Sequence, residues 1–287
     1  MDTTELLKKV RKIEIKTKGL SQQVFSGQYH SAFKGRGMAF SEVREYNYGD
    51  DVRSIDWNVT ARYNKPYVKI FEEERELTVI LLIDVSASTL FGTKTQFKQD
   101  LITEIAAVLA FSAIQNNDKV GVIFFSDKVE KYIPPQKGRL HILRIIRELL
   151  AIEPANTQTN IGEALRFLNN VIKKRSTAFL MSDFLDNNYQ DALKIVKKKH
   201  DLIALKISDK REKEIPNVGL IRLKDNELNK EMWLDTNISE NRKTYQKNWQ
   251  HKNKETETIL KKFAINFANV DTDEDYVKPL LKLFGKK

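Results

Sequence analysis

The sequence predicts an α/β protein whose main body is a doubly wound, mainly parallel sheet with helices on both faces. Three observations carry that prediction. From residue 77 onward, short apolar and β-branched runs alternate with stretches of helical periodicity, the pattern of successive βαβ units. The first of these runs, L-T-V-I-L-L-I over residues 77–83, lacks polar alternation, as expected of a strand covered on both faces. The chain is also 287 residues long, enough for one large domain with an accessory piece.

Taken in order, residues 4–18 read as a short basic helix with Leu6, Leu7, Val10 and Ile13 on one side and a cap at Thr3 or Thr4. Residues 27–74 change texture. Glycines, aromatics and β-branched residues alternate in short runs between turn signals at Gly49-Asp50 and Asn64-Lys65-Pro66, which predicts a small β-rich module. The expected organisation is therefore residues 1–76 as helix plus β-rich module and residues 77–287 as the α/β domain.

Within that domain, residues 96–115 carry Phe97, Leu101, Ile105, Val108 and Ser112 at helical spacing, and residues 119–125 form a second buried strand. Residues 128–133 read as an edge strand returning from a turn at Ser126-Asp127. Helices follow over 139–152 and 160–173, separated by the polar loop P-A-N-T-Q-T-N. Residues 177–181 are the next strand, 189–198 a helix and 202–207 a strand. The alternation then breaks, and residues 215–236 read as an inserted β-hairpin around a polar turn at 225–229. Residues 238–263 form a long polar surface helix, 267–271 a last strand and 275–284 a closing helix.

Composition narrows the function classes. There is no cysteine, which excludes disulfides, thiolate metal sites and cysteine nucleophiles. The amino terminus, M-D-T-T-E-L-L-K-K-V-R-K, lacks the apolar core of a signal peptide, and no run of about 18 apolar residues occurs, so the expected location is the cytoplasm. The formal charge of +10 comes from dispersed lysines and suits solubility, an acidic partner or a nucleic acid. No G-x-x-x-x-G-K-[ST] loop is present, since Gly92-Thr93-Lys94 lacks its first glycine, so any ATP hydrolysis must come from a partner.

The residues that carry chemistry lie at strand ends. Asp84, Ser86 and Ser88 follow the first buried strand at every second position, Thr159 opens a helix after a polar loop, and Asp183 ends a later strand. A doubly wound sheet puts all three fragments on its carboxyl-terminal edge, where ligands bind. Hydroxyl and carboxylate oxygens without sulfur or imidazole suit Mg²⁺ or Mn²⁺. Taken singly, these residues also read as helix caps and turn formers. A second polar group, Asp50, Asp51, Arg53, Asp56 and Trp57, reads as structural, with Gly49-Asp50 in a turn, Arg53 pairing with the carboxylates and Trp57 packed. His30, His141, His200 and His251 show no ligand spacing and default to surface positions.

The D-x-S-x-S fragment with Thr159 and Asp183 resembles the von Willebrand factor A fold and its metal-ion-dependent adhesion site. That resemblance implies Ser86, Ser88 and Thr159 as inner ligands, Asp84 and Asp183 orienting waters or ligating directly, and an open position filled by an acidic side chain of a partner. Residues 35–62, G-R-G-M-A-F-S-E-V-R-E-Y-N-Y-G-D-D-V-R-S-I-D-W-N-V-T-A-R, with E-E-E-R-E-L after them and I-P-N-V-G-L-I-R-L-K-D-N-E and W-L-D-T later, resemble the bacterial family of domain of unknown function 58 (DUF58). Many members of that family carry transmembrane helices, and they are commonly linked with MoxR-type AAA+ ATPases. The resemblance thus implies a non-enzymatic, metal-dependent adaptor or co-chaperone for such an ATPase or its client. Two other classes stay open on the residues. Mg²⁺ beside carboxylates can activate water in a phosphoester hydrolase, although no base is evident. The Lys-rich stretch over 243–262 could also hold nucleic acid by phosphate contacts that weaken steeply with salt.

Overall fold

The computed structural model describes residues 11, 13, 38–73, 77–92, 96–152, 154, 158–186, 188–225 and 230–285. The basic helix expected over 4–18 lies outside the described residues apart from Arg11 and Ile13, which are both helical. Residues 93–95 lie outside them too, as do 155–157 and 226–229, on which parts of the expected loop at 154–160 and turn at 225–229 fall. Residues 33–77 form the smaller of two compact units, and residues 78–287 fall in the larger.

In the smaller unit, strands β1 (Met38–Glu45) and β2 (Tyr67–Glu73) pair antiparallel, Val43 opposite Lys69, with a register shift between Phe40 and Glu42. A 3-10 turn (Val52–Ser54) and helix α1 (Trp57–Tyr63) connect them, so the module is β-rich with a helical crossing that alternation alone does not predict. Asp50, Asp51 and Asp56 each have a local structural task. Asp51 accepts the Arg53 amide at 3.0 Å, and Asp56 caps α1 by accepting the Asn58 and Val59 amides at 3.0 and 3.2 Å. Asp50 follows Gly49, whose φ of 107° makes the turn, and receives both terminal nitrogens of Arg44 at 2.7 and 2.8 Å.

Two expectations for this segment need correction. Arg44, not Arg53, pairs with Asp50, Lys69 Nζ lies 3.5 Å from Asp56 Oδ2, and Arg53 is exposed. Trp57, the first residue of α1, is 68% exposed instead of packed. Thr60 faces the strand, and its hydroxyl accepts the Tyr67 amide at 3.0 Å.

In the larger unit, six strands lie in the order β10-β7-β6-β3-β4-β5: β3 (Thr78–Asp84), β4 (Lys119–Phe125), β5 (Val129–Gln136), β6 (Thr177–Ser182), β7 (Asp201–Ser208) and β10 (Asn266–Asp271). All neighbouring pairs are parallel except β4 with β5, the antiparallel edge. This is the doubly wound layering expected from the sequence. Val79 to Ile83 are fully buried because both faces of β3 are covered.

One face packs helices α4 (Ile161–Val171) and α5 (Gln190–Lys199), whose Leu165, Leu168, Leu193 and Val196 meet Ile80, Leu82, Leu180 and Ala204. Each such side chain contributes about 1.5–3 kcal/mol by leaving water. Helices α2 (Lys98–Gln115) and α3 (Arg139–Ala151) also pack against this unit's strands. The short α6 (Lys210–Lys213), the separate hairpin of β8 (Leu220–Asp225) and β9 (Lys230–Asp235), the long α7 (Ser239–Lys262) and α8 (Val277–Gly285) complete the order. Thr256 and Leu260 are the buried residues of α7, consistent with its polar sequence. Among the described residues no helix is long and apolar enough to cross a membrane.

Three details differ from the expected elements. α2 begins at Lys98, so Phe97 caps it at 54% exposure and does not join the buried stripe. His141 and His200 are buried, not on the surface: His141 Nε2 lies 2.8 Å from the Val120 carbonyl and His200 Nδ1 2.8 Å from the Ser176 hydroxyl. His30 lies outside the described residues.

Candidate metal centre

Register brings the site together. Asp84 on β3 pairs with Phe125 on β4, and Ile83 pairs with Met181 on β6, so three parallel strands end at one level. At that edge Asp84, Ser86 and Asp183 are buried, and Ser88 is nearly so. The loop after Asp84 turns back at once: the Ser86 amide donates to Asp84 Oδ1 at 3.0 Å, and Thr89 closes a 3-10 turn onto the Ser86 carbonyl. This local bond is the expected Asx-type turn. It also aims the two serine hydroxyls together, with their Oγ atoms 3.0 Å apart.

Asp183 enters from β6 by an unusual backbone step. Phe184, directly after it, is buried at a φ of 60°, in the left-handed region that bulky side chains avoid. The strain costs on the order of 1–2 kcal/mol. The turn is held by the Ser182 hydroxyl, which accepts the Phe184 amide at 3.1 Å while donating to Asp84 Oδ2 at 2.6 Å. Ser182 therefore ties the β3 carboxylate to the β6 turn, a role invisible in sequence because a serine at a strand end reads as a turn former.

Thr159 is half-buried just before α4. Its neighbour Asn160 donates its amide to the Ser126 carbonyl at the end of β4 at 2.8 Å and caps α4 through the Glu163 amide at 2.9 Å. The Ile161 amide donates to Asp186 Oδ2, in the loop after Asp183, at 2.8 Å. These bonds carry Thr159 to the same edge, between the end of β4 and the loop after β6. Hydrogen bonds link Asp84 to Ser86 and Ser86 to Ser88, and Ser182, which donates to Asp84, directly precedes Asp183 on β6.

A further residue, not read as functional from sequence, is Lys98. Its side chain is fully buried, with Nζ 3.0 Å from Asp183 Oδ2 and a close ion pair to Glu212 on α6. Burial disfavours its charge, but Asp183 and Glu212 outweigh that and hold the ammonium above the usual lysine range. The two site aspartates consequently diverge. Burial, then the charge of Asp183, pushes Asp84 up to about 7, against hydrogen bonds from Ser182 and Ser86. Asp183 is also buried, but Lys98 and the Ser88 hydroxyl more than offset that and keep its carboxyl below the ordinary value.

These features fit a hard divalent cation. With about 2.1 Å from metal to oxygen, neighbouring oxygens of a magnesium octahedron lie about 3 Å apart, which matches the 3.0 Å between the two serine hydroxyls. That spacing is equally an ordinary hydrogen bond, so charge is the stronger criterion. Lys98 and Lys206 both act on Asp183 and Glu212, whereas Asp84 is buried beside Asp183 with no cation bonded to it, so the uncompensated carboxyl of the cluster is Asp84. Among the described residues no group of three or more His, Cys, Asp or Glu side chains is arranged to hold a metal. A hydroxyl-rich donor set of two aspartates and serines does not require one.

The profile of a protein family described as protein of unknown function DUF58 matches residues 42–255. The chain belongs to the DUF58 family. This DUF58 protein is 31% identical over 230 residues to the uncharacterized protein Rv1480 of Mycobacterium tuberculosis, covering 79% of this chain and 73% of that one. It is 26% identical over 122 residues to YeaD of Bacillus subtilis, covering 42% of this chain and 27% of that one. Among solved structures, BatB from Bacteroides thetaiotaomicron superposes with a TM-score of 0.51 at 18% identity, over 73% of this chain and 97% of that one. An aerotolerance-related membrane protein from Bacteroides fragilis gives 0.50 at 16% identity, over 74% and 100%. These two likenesses concern the fold. The sheet layering agrees with the doubly wound α/β class expected from the sequence.

Proposed function

We propose that this DUF58 protein is a non-enzymatic binding module that holds Mg²⁺ or Mn²⁺ at Asp84, Ser86, Ser88, Thr159 and Asp183 and captures an acidic side chain of a partner protein there. The observation that carries this reading is Asp84: buried, bonded only to neutral donors and pushed up to about 7, it is a carboxylate whose environment lacks a compensating cation. A bound divalent ion would supply a Lewis-acidic point charge at which a carboxylate can dock.

The chain's own residues do the rest. Ser86 and Ser88 present adjacent oxygens, Asp84 is fixed by Ser182, and Asp183 is fixed by Lys98 and the Phe184 turn. Rigid strand ends keep these oxygens in place without reorganisation. The partner class inferred from the family resemblance is a MoxR-type AAA+ ATPase or its client. The decisive test is capture of that ATPase from native cytosol with and without chelator. Wild-type protein should retain it only without chelator, and Asp84→Ala and Ser86→Ala should lose it. Equal retention by wild type and both variants would end the proposal.

A further inference from the structure

Lys98 occupies a position that physical chemistry disfavours twice. It is the first residue of the 18-residue helix α2, where the helix presents its positive end, and its side chain is wholly removed from water. A buried ion pair can often be replaced by apolar packing without loss of stability, so fold maintenance alone does not account for it. What distinguishes Lys98 is how its charge is divided. One partner, Asp183, also faces Ser88 and Asp84 in the candidate cation cluster. The other, Glu212, lies on the far side, anchored in α6 by a reciprocal cap in which its carboxylate accepts the Asp209 amide at 3.0 Å and Asp209 accepts the Arg211 amide at 2.8 Å.

We propose that Lys98 sets the cation affinity of the cluster: shared between Asp183 and Glu212, its ammonium withholds part of the Asp183 charge from the bound cation, and Glu212 determines how large that part is. This rests on the reading of Asp84, Ser86, Ser88 and Asp183 as a cation site. It makes two variants move in opposite directions, which damage to the fold would not do. With Lys98→Met, the full Asp183 charge faces the cation and affinity rises. With Glu212→Gln, the ammonium loses its second carboxylate, bears wholly on Asp183 and lowers affinity.

The measurement is Mn²⁺ titration of the full chain by calorimetry, with the free-ion electron paramagnetic resonance signal as a second readout and thermal unfolding in chelator as the folding control. We expect Mn²⁺ to bind Lys98→Met about tenfold more tightly and Glu212→Gln about tenfold more weakly than wild type. If Lys98→Met does not fold, Glu212→Gln decides alone, and unchanged or tighter binding by it overturns the proposal. Weaker binding by both folded variants, or no change in either, also overturns it and assigns the pair to the fold. Absence of Mn²⁺ binding by the wild type would instead remove the cation site itself, and this inference with it.

Discussion

Removing the Ser182 hydroxyl tests the local architecture most sharply, because one atom serves two strands. Ser182 is fully buried, donates to Asp84 Oδ2 at 2.6 Å and accepts the Phe184 amide at 3.1 Å. In Ser182→Ala the bond to an ionised carboxylate, about 1.5–3 kcal/mol, is lost, and a buried amide is left without its acceptor at about 1–3 kcal/mol. Partial relaxation of the strained Phe184 turn returns some of this, so the expected net loss is about 2–4 kcal/mol. Urea unfolding in chelator at pH 8 should show it as a lower midpoint with an unchanged slope. A double-mutant cycle with Asp84→Asn separates the two effects, and a coupling of about 1.5–3 kcal/mol is expected between the hydroxyl and the carboxylate. A loss below about 0.5 kcal/mol, or a coupling near zero, would refute the reasoning.

The remaining predictions concern protonation and the small module. Burial lowers His200 to about 4, so the folded state resists the proton that the unfolded chain takes up near 6.5, and stability is lost as pH falls between those values. The span of about 2.5 units corresponds to about 3 kcal/mol, and His200→Gln should make the decline in unfolding free energy shallower by roughly that amount. Asp84 works in the opposite sense: its raised value gives stability that is fully present below about 4 and lost as pH rises through 7, so metal-free Asp84→Asn should gain on the wild type across that window. Both differences are read from denaturation series in chelator. Trp57→Ala, at a 68% exposed position, should change unfolding free energy by less than about 0.5 kcal/mol, and a larger cost would mean the side chain packs after all.

The strands, their order along the chain and the three oxygen-bearing fragments were legible because each follows from local pattern. An unbroken apolar run such as 79–83 has to be covered on both faces, and D-x-S-x-S after it has to sit at a strand end. What escaped depends on register and on partners distant in sequence. Ser182 reaches Asp84 across 98 residues and Lys98 reaches Asp183 across 85, and neither serine nor lysine announces such a partner. A lysine at the start of a helix reads as solvent-exposed, so the burial of Lys98 between two carboxylates had no sequence signal. In the small module Gly49-Asp50 was readable as a turn, whereas the Asp56 cap was not, because α1 itself has no signal in the alternating pattern. Arg53 was the expected partner of the carboxylates, and the pairing of Asp50 with Arg44 on β1 depends on tertiary placement that local pattern does not carry.

The proposed function depends on a divalent cation bound by Asp84 and its neighbours. Calorimetric titration of the chelator-stripped protein with Mn²⁺ tests it most directly, using Asp84→Ala and the surface variant Glu163→Gln for comparison. Saturable binding at one site is expected in the wild type and in Glu163→Gln, and none in Asp84→Ala. No binding by the wild type, or undiminished binding by Asp84→Ala, would contradict it.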